Sequence, residues 1–361
     1  MAATIGSAVA GVTLKDVARA ADVHPSTASR ALDPAKVWLV SADTRTRVLD
    51  AARALGYRPH VVASSLRRRR TDTIGLVVPD LANPYIAPVV RGIENALEGR
   101  GLIAMIAETQ DDPARSNRVL EHLQRRRVDA IVTTAAREGD VQVLRKLART
   151  TPTVLAVRPL ERLALTTVTH DDRMGARLAA EHLAALGHRR VVQLTGPLDV
   201  ANFARRRAAF LDAAGRHGME VVDPGLTATR ATVQEGERQM RVFMQRQGPR
   251  VTAIFAHNDV MALGALRVLR ALDVRCPQDM SLVGYNDMPA AEFTEPGLTT
   301  VGLPGYELGR LAAEMAVTLI EQPATPPTQL SLPPELVVRD STAVPDLARD
   351  EPAVVAPPRS A

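Results

Sequence analysis

Residues 13–34 read TLKDVARAADVHPSTASRALDP, and this stretch decides what the N-terminal part of the chain is built to be. Leu14, Val17 and Ala18 keep helical spacing, and Thr13 followed by Asp16 is a capping-box start signal, so a first helix is expected to run to about Ala20. Ala21, Asp22 and Val23 form a short break. His24 and Pro25 then read as a cap and a first-turn proline, with Ala28, Ala31 and Leu32 as the apolar stripe of a second helix. Small residues at Ala18, Ala21 and Ala28 let two short helices approach closely at a steep angle, as in a helix-turn-helix. The second helix then presents Ser26, Thr27, Ser29 and Arg30; hydroxyls suit phosphate oxygens, and an arginine suits guanine O6 and N7. An ordinary helical hairpin with polar caps would carry the same pattern.

Working outward, Ser41 followed by Val48, Leu49, Ala52 and Leu55 signals a third helix ending at Gly56. Pro59 stops the chain, and Val61 to Leu66 make barely more than one helical turn, too short to persist alone in water. Arg67 to Arg70 then form a basic linker. Residues 1–72 hold 12 Lys and Arg against 6 Asp and Glu, a net of +6, while the remainder holds 33 against 34. All of the excess positive charge therefore lies in the first fifth of the chain, which suits a nucleic-acid-binding head on a near-neutral body, or simply a solvated basic face.

From Thr73 onward apolar runs alternate with amphipathic ones. Strands are expected at 74–78, 102–107, 130–134, 153–157, 191–194, 253–256 and 282–285, and helices at 87–99, 115–126, 174–186 and 260–272. Such alternation means parallel sheets with helices on both faces, and seven or more strands over this length suggest two sheets, with ligands bound beyond the strand carboxyl ends.

Composition narrows the class. With 361 residues, 46% hydrophobic and 24% charged, the chain suits two or three globular domains. A single cysteine, Cys276, forbids an intrachain disulfide and fits a reducing cytoplasm. The opening MAATIGSAVAGV has no basic flank, and no apolar run is long enough to span a bilayer, so secretion and membrane insertion are not expected. No GxxxxGK[ST], GxSxG or HExxH is present. Gly99, Gly101 and Ala104 satisfy GxGxxA, but they follow a helix and precede a strand, the reverse of the dinucleotide-binding order. His182 and His188 flank a helix end and read as structural caps rather than metal ligands. No catalytic residue, metal or cofactor is expected.

Taken in order, 13–32, VSADTRTRV (40–48), LGYRPHVVASSLRRRRTDTIGLVVPDLANPY (55–85), VDAIV (128–132), HLAALGHRRVV (182–192), FAHNDVMALGAL (255–266), LVGYNDMPAAEFTEPGLTTV (282–301) and PPELVVRDSTA (333–343) resemble the LacI family of bacterial transcriptional regulators over about residues 12–343. The resemblance implies an α/β protein: a small all-α helix-turn-helix head (12–58) after a tail (1–11), a hinge helix and linker (59–72), and a core (73–343) of two periplasmic-binding-protein-like subdomains built on doubly wound parallel sheets. Chain crossings are expected near Thr169, Val301 and Leu332, and a Pro/Ala-rich tail at 344–361. It implies a ligand-responsive repressor that binds a palindromic double-stranded operator as a homodimer. A solute-binding protein without DNA regulation and a sugar-processing enzyme are the alternatives, opposed by the basic head and by the missing catalytic motifs respectively.

Carried over position by position, the resemblance places DNA contacts on Thr13, Leu14, His24, Pro25, Ser26, Thr27, Ser29 and Arg30, with hinge contacts from His60, Ala63 and Leu66, the last as a minor-groove wedge. It places effector contacts on Asn83, Tyr85, Ile86, Thr134, Asn202, Arg206, Asn258, Asp259 and Asn286. Departures accompany it. Val157 and Asn286 stand where the family often has carboxylates, Ala231 where it often has a ring, and His60 where it usually has asparagine. AKVWLV lengthens the segment before the third helix. A cleft holding Arg206 and Arg158 without those two carboxylates is expected to take an effector with an acidic or phosphate group, a neutral sugar being the competing answer.

Overall fold

The computed structural model describes residues 12–57, 70–226, 228–246 and 250–346. His60, Ala63 and Leu66 lie outside the described residues. The chain divides into two compact units at Thr71–Asp72.

The first unit contains α1 (Leu14–Ala20), α2 (Pro25–Ala31), a 3-10 turn (Pro34–Leu39) and α3 (Ala42–Ala54). Its core is made of small side chains: Val17, Ala18, Ala21, Ala28, Ala31, Val48 and Ala52 are all buried. Helices this short hold no structure by themselves, so the stripe they share is what folds them. The starts are fixed locally. The Asp16 carboxylate accepts from the Thr13 amide (3.0 Å) and hydroxyl (2.6 Å), and Ser41 Oγ accepts from the Thr44 amide at 3.3 Å.

The second unit has two lobes. The first lobe is a six-stranded parallel sheet in the order β11-β5-β4-β3-β1-β2, formed by β1 (Thr73–Val78), β2 (Ile103–Glu108), β3 (Ala130–Thr133), β4 (Thr153–Ala156), β5 (Thr166–His170) and β11 (Gln329–Leu332). Leu76 on β1 faces both Ile106 and Val132 in register. Helices α4 (Ile86–Glu98), α5 (Pro113–Arg125), α6 (Val141–Leu147) and α11 (Gly305–Glu321) belong to it. The second lobe is ordered β12-β10-β9-β8-β6-β7, from β6 (Arg190–Leu194), β7 (Glu220–Val222), β8 (Ala253–Ala256), β9 (Ser281–Asn286), β10 (Thr299–Gly302) and β12 (Glu335–Val337). Among the described strands only β12 runs antiparallel to its neighbour. Helices α7 (Asp172–Ala185), α8 (Ala201–Arg216), α9 (Val233–Met244) and α10 (Asp259–Ala271) belong to it.

The seven strands expected from apolar runs are all present, and five more, β5, β7, β10, β11 and β12, complete the two sheets. The five are short or polar: β5 is TTVTH and β11 is QLSL. The chain passes from the first lobe to the second between His170 and Asp172, returns after Gly302, and crosses again between Leu332 and Glu335. Helix α11 packs on α4 at a glycine-to-glycine crossing. A Cβ on Gly309 would come within 2.1 Å of the Val89 carbonyl oxygen, and one on Gly92 within 2.1 Å of that of Tyr306.

Candidate functional site

In the head, His24 caps α2: its Nδ1 accepts from the Ser26 amide at 3.2 Å and lies 2.8 Å from the Ser26 hydroxyl. Pro25 opens the helix, whose own missing donor costs nothing at that position. Ala28 and Ala31 are buried, while His24, Ser26 and Arg30 are exposed and Pro25, Thr27 and Ser29 half-buried. The polar face of α2 is thus presented outward from a core of alanines. Thr13 is exposed and Leu14 half-buried, at the start of α1.

In the second unit the effector candidates divide into two groups. Tyr85, Asn202 and Arg206 gather with residues that sequence reasoning did not single out, His170, Asp172 and Tyr285. Arg206, on α8 one turn after Asn202, donates through Nε to Asp172 Oδ1 (2.8 Å) and through Nη1 to the His257 carbonyl (2.7 Å), and its guanidinium lies 3.7 Å from the centre of the Tyr285 ring. The Arg206 and Asp172 side chains are 3% and 1% exposed. Burial lifts the Asp172 carboxyl above its ordinary value against the pull of Arg206. Burial equally opposes the charge on Arg206, which Asp172 nevertheless holds above its usual range. Tyr85 OH meets His170 Nε2 at 2.5 Å, and burial, helped by the Arg206 charge, pushes His170 down to about 3, so the ring is neutral. Around this pair Asp172 Oδ2, Asn202 Oδ1 and His170 Nδ1 are buried with no hydrogen-bond partner among the described residues.

The other candidates serve the framework. Asn83 Oδ1 accepts from the Tyr85 amide at 3.1 Å, forming the turn that opens α4, and Ile86 is buried in the first-lobe core. Thr134 Oγ1 donates to the Val77 carbonyl, tying β3 to β1. Asn258 caps α10 through the Met261 amide (2.9 Å) and donates to the Ala231 carbonyl. Asp259 is 1% exposed and accepts from Thr300 Oγ1 (2.6 Å) and the Met288 amide (2.8 Å). With only neutral donors around it, burial lifts its pKa to about 7. These contacts commit Asp259 to joining β8, β9 and β10. Asn286 closes β9 with φ 111°, a backbone region that favours glycine. His182 and His188 bond to the hydroxyls of Thr342 and Thr252.

Among the described residues the cleft holds no uncompensated arginine that would call for an acidic effector. Both arginines behind that expectation already hold carboxylates: Arg206 has Asp172, and Arg158 has Asp111 at 2.6 Å. Arg137 shares Asp111 at 3.3 Å and reaches from the first lobe to Asp199 of the second with a paired contact, Nε to Oδ2 at 2.9 Å and Nη2 to Oδ1 at 2.8 Å. Val157, where a carboxylate was missed, sits at φ 67°; the Arg158 amide donates back to the Ala156 carbonyl across it, a strained γ-turn for a β-branched residue that turns the chain into Arg158. Two further ion pairs join the lobes, Arg205–Glu161 at 2.8 Å and Arg230–Asp80 at 3.4 Å. The signal that would have found Asp172 was the same one that drew attention to Asn258 and Asp259: a polar pair at a strand's carboxyl end opening a helix.

A helix-turn-helix head joined to a two-lobed α/β receptor, with unsatisfied polar atoms collected where the lobes meet, defines a ligand-responsive DNA-binding regulator. Residues 13–60 match the model for bacterial regulatory proteins of the lacI family, and residues 180–342 match a periplasmic binding protein-like domain. The chain is 32% identical to the ribose operon repressor of Escherichia coli (strain K12), over 91% of this chain and 99% of that protein. It is 30% identical to the HTH-type transcriptional regulator DegA of Bacillus subtilis (strain 168), over 92% and 98%. Among solved structures, the lac repressor dimer bound to operator and the anti-inducer ONPF superposes with a TM-score of 0.81 at 26% identity, covering 92% of this chain and 99% of that one. A complex of the transcriptional regulator CelR with cellobiose gives 0.69 at 33%, covering 91% and 99%. The chain belongs to the lacI family of bacterial regulatory proteins. It is a DNA-binding transcriptional regulator and not an enzyme. No helix among the described residues is long and apolar enough to cross a membrane.

Proposed function

We propose that this chain acts in the cytoplasm as a homodimeric repressor on a near-palindromic operator, and that a neutral, hydroxyl-rich small molecule bound between the lobes sets its affinity for DNA. The observation that carries the ligand class is the group of polar atoms on Asp172, Asn202 and His170, partnerless among the described residues, around an arginine whose charge is already matched. Buried polar atoms without partners are costly, and hydroxyls satisfy donors and acceptors alike without bringing a second charge. Relatives named for ribose and complexed with cellobiose fit that chemistry. The test is calorimetry with matched neutral and phosphorylated sugars: the neutral member is expected to bind more tightly, and the reverse order overturns the reading. Asn202→Ala removes an oxygen that no described protein group holds, so it should weaken ligand binding about three- to tenfold and leave folding intact.

In the head, Pro25, Ser26 and Arg30 are assigned to base edges and His24, Thr27 and Ser29 to phosphates, with α2 in the major groove. Arg30→Ala should cost about 1–3 kcal/mol at one base position of the operator. Equal losses on operator and scrambled duplexes would reassign Arg30 to the backbone. Dimerisation is assigned to the open edge of the first-lobe sheet, where β2 exposes Ile103 (63%) and Ile106 (38%). An uncovered apolar edge strand invites pairing, and a second copy satisfies it with two-fold symmetry. Ile103→Lys should yield monomers in sedimentation experiments.

A further inference from the structure

The lengthened segment AKVWLV has no part in the contacts assigned above. In the structure it is the 3-10 turn Pro34–Leu39, directly after α2. Leu32 before it and Val40 at its far end pack partly buried against the core of the head, so the turn is pinned on both sides. Between these anchors Trp38 is 78% exposed and Leu39 46% exposed. The Lys36 side chain is about half exposed and pairs with Asp33 at 3.2 Å. Trp38 is the sole tryptophan of the chain.

A large indole held outward on a pinned turn needs a partner to repay its exposure, and three observations point to the same one. The turn is continuous with the helix of the DNA-reading surface, and the first 72 residues, head and linker together, carry the excess positive charge of the chain. Reach agrees as well: six residues of 3-10 helix extend about 12 Å, close to the width of the major groove, so the turn after a docked α2 arrives at the groove wall. That wall is deoxyribose and phosphate, an apolar face beside hydrogen-bond acceptors. Indole matches it with a flat apolar ring and an N–H that only donates.

We propose that Trp38 lies against the sugar-phosphate wall of the bound duplex, its ring on deoxyribose and its N–H toward a phosphate oxygen, with Lys36 adding charge to the same contact. The contact positions α2 and carries no sequence information. The inference rests on the operator-binding reading of the head.

The full-length protein tests it through its single indole, excited beyond the tyrosine band. The probes are a short duplex enriched by the protein from a random pool and a scrambled duplex of equal length, each dye-labelled so that anisotropy reports binding independently. Acrylamide quenching of Trp38 should be strong in the free protein and fall severalfold when either duplex saturates it. Trp38→Ala should weaken both duplexes alike, by about tenfold, and Trp38→Tyr should recover part of that loss. Ligand-induced thermal shifts should match the parent. Binding by anisotropy with unchanged quenching overturns the role of Trp38 alone. Weak quenching in the free protein means a second copy or another surface covers the ring, and also overturns it. Failure to enrich any duplex overturns the reading of the head, and Trp38's role with it.

Discussion

Each lobe buries a carboxylate where its sheet meets the cleft, and the two are compensated in opposite ways. In the first lobe Asp111 lies between two guanidiniums, Arg158 at 2.6 Å and Arg137 at 3.3 Å. Burial alone would raise its pKa, but the two arginines win and hold the carboxyl below its ordinary range. In the second lobe Asp259 is met by a threonine hydroxyl and a backbone amide, and burial lifts it to about 7. A carboxylate kept charged by cations fastens parts that carry charge of their own; here Arg137 extends the fastening across the cleft to Asp199. A carboxylate held by neutral donors fastens backbone, and it is free to keep its proton.

The comparison breaks most severely at Asp111. Asp111→Ala leaves two guanidiniums, each with an 8% exposed side chain, without their shared anion, and should cost about 3–5 kcal/mol in urea unfolding. A loss below about 1 kcal/mol would mean that Asp199 and backbone carbonyls suffice. The pH dependence sharpens the contrast, because the two groups have opposite signs. Asp111, depressed in the folded state, contributes stability that is present above the ordinary carboxylate pKa and is lost as pH falls through its lower folded value. Asp259, raised, contributes stability that is present below about 4 and lost as pH rises toward about 7, while the unfolded chain is already ionised. The full swing is on the order of 4 kcal/mol. His170, neutral when folded, acts the other way in the same window, losing stability as pH falls from its ordinary value toward about 3. The difference between parent and Asp259→Asn in unfolding free energy from pH 4 to pH 7 isolates the Asp259 contribution. A flat difference curve would contradict its burial among neutral donors. The smallest effect is expected at the solvent end of the clasp. Asp199 is 54% exposed, so Asp199→Ala should cost only about 0.5–1 kcal/mol in the same unfolding assay.

Local signals carried the head. The His24–Pro25 start, the Thr13–Asp16 pair and the alanine stripe each act within four residues, and the three helices begin and end within a residue or two of where those signals place them. In the body, β8 (AIFA) was legible because a fully buried strand is an unbroken apolar run. By contrast β5 and β11 are polar edge-side strands that acquire their structure from pairing with each other across 162 residues of chain. The cleft was harder still. Arg206 was singled out by position, but its partner Asp172 is 34 residues before it, and Asp111 is 47 residues before Arg158. No periodicity reports a charge pair that closes only in three dimensions, which is why the missing carboxylates at Val157 and Asn286 suggested an uncompensated cleft. Asp259 shows a related ambiguity: a strand's carboxyl end points many side chains toward a ligand, and also some back into the sheet.

The triple crossing between lobes sets an order of assembly during synthesis. Helix α11 supplies Leu308, Ala312, Ala313, Ala316 and Val317 to the core that covers Ile74, Leu76 and Val132, and β11 then completes the sheet of the first lobe. Until those residues leave the ribosome, the lobe translated first has an uncovered apolar face and an open strand edge. The second lobe, lacking only β12, has all its helices once residue 302 has emerged. The lobe translated first is therefore the last to gain its covering helix, and a nascent chain stalled between residues 302 and 332 should engage chaperones through the face of the first sheet that α11 is destined to cover.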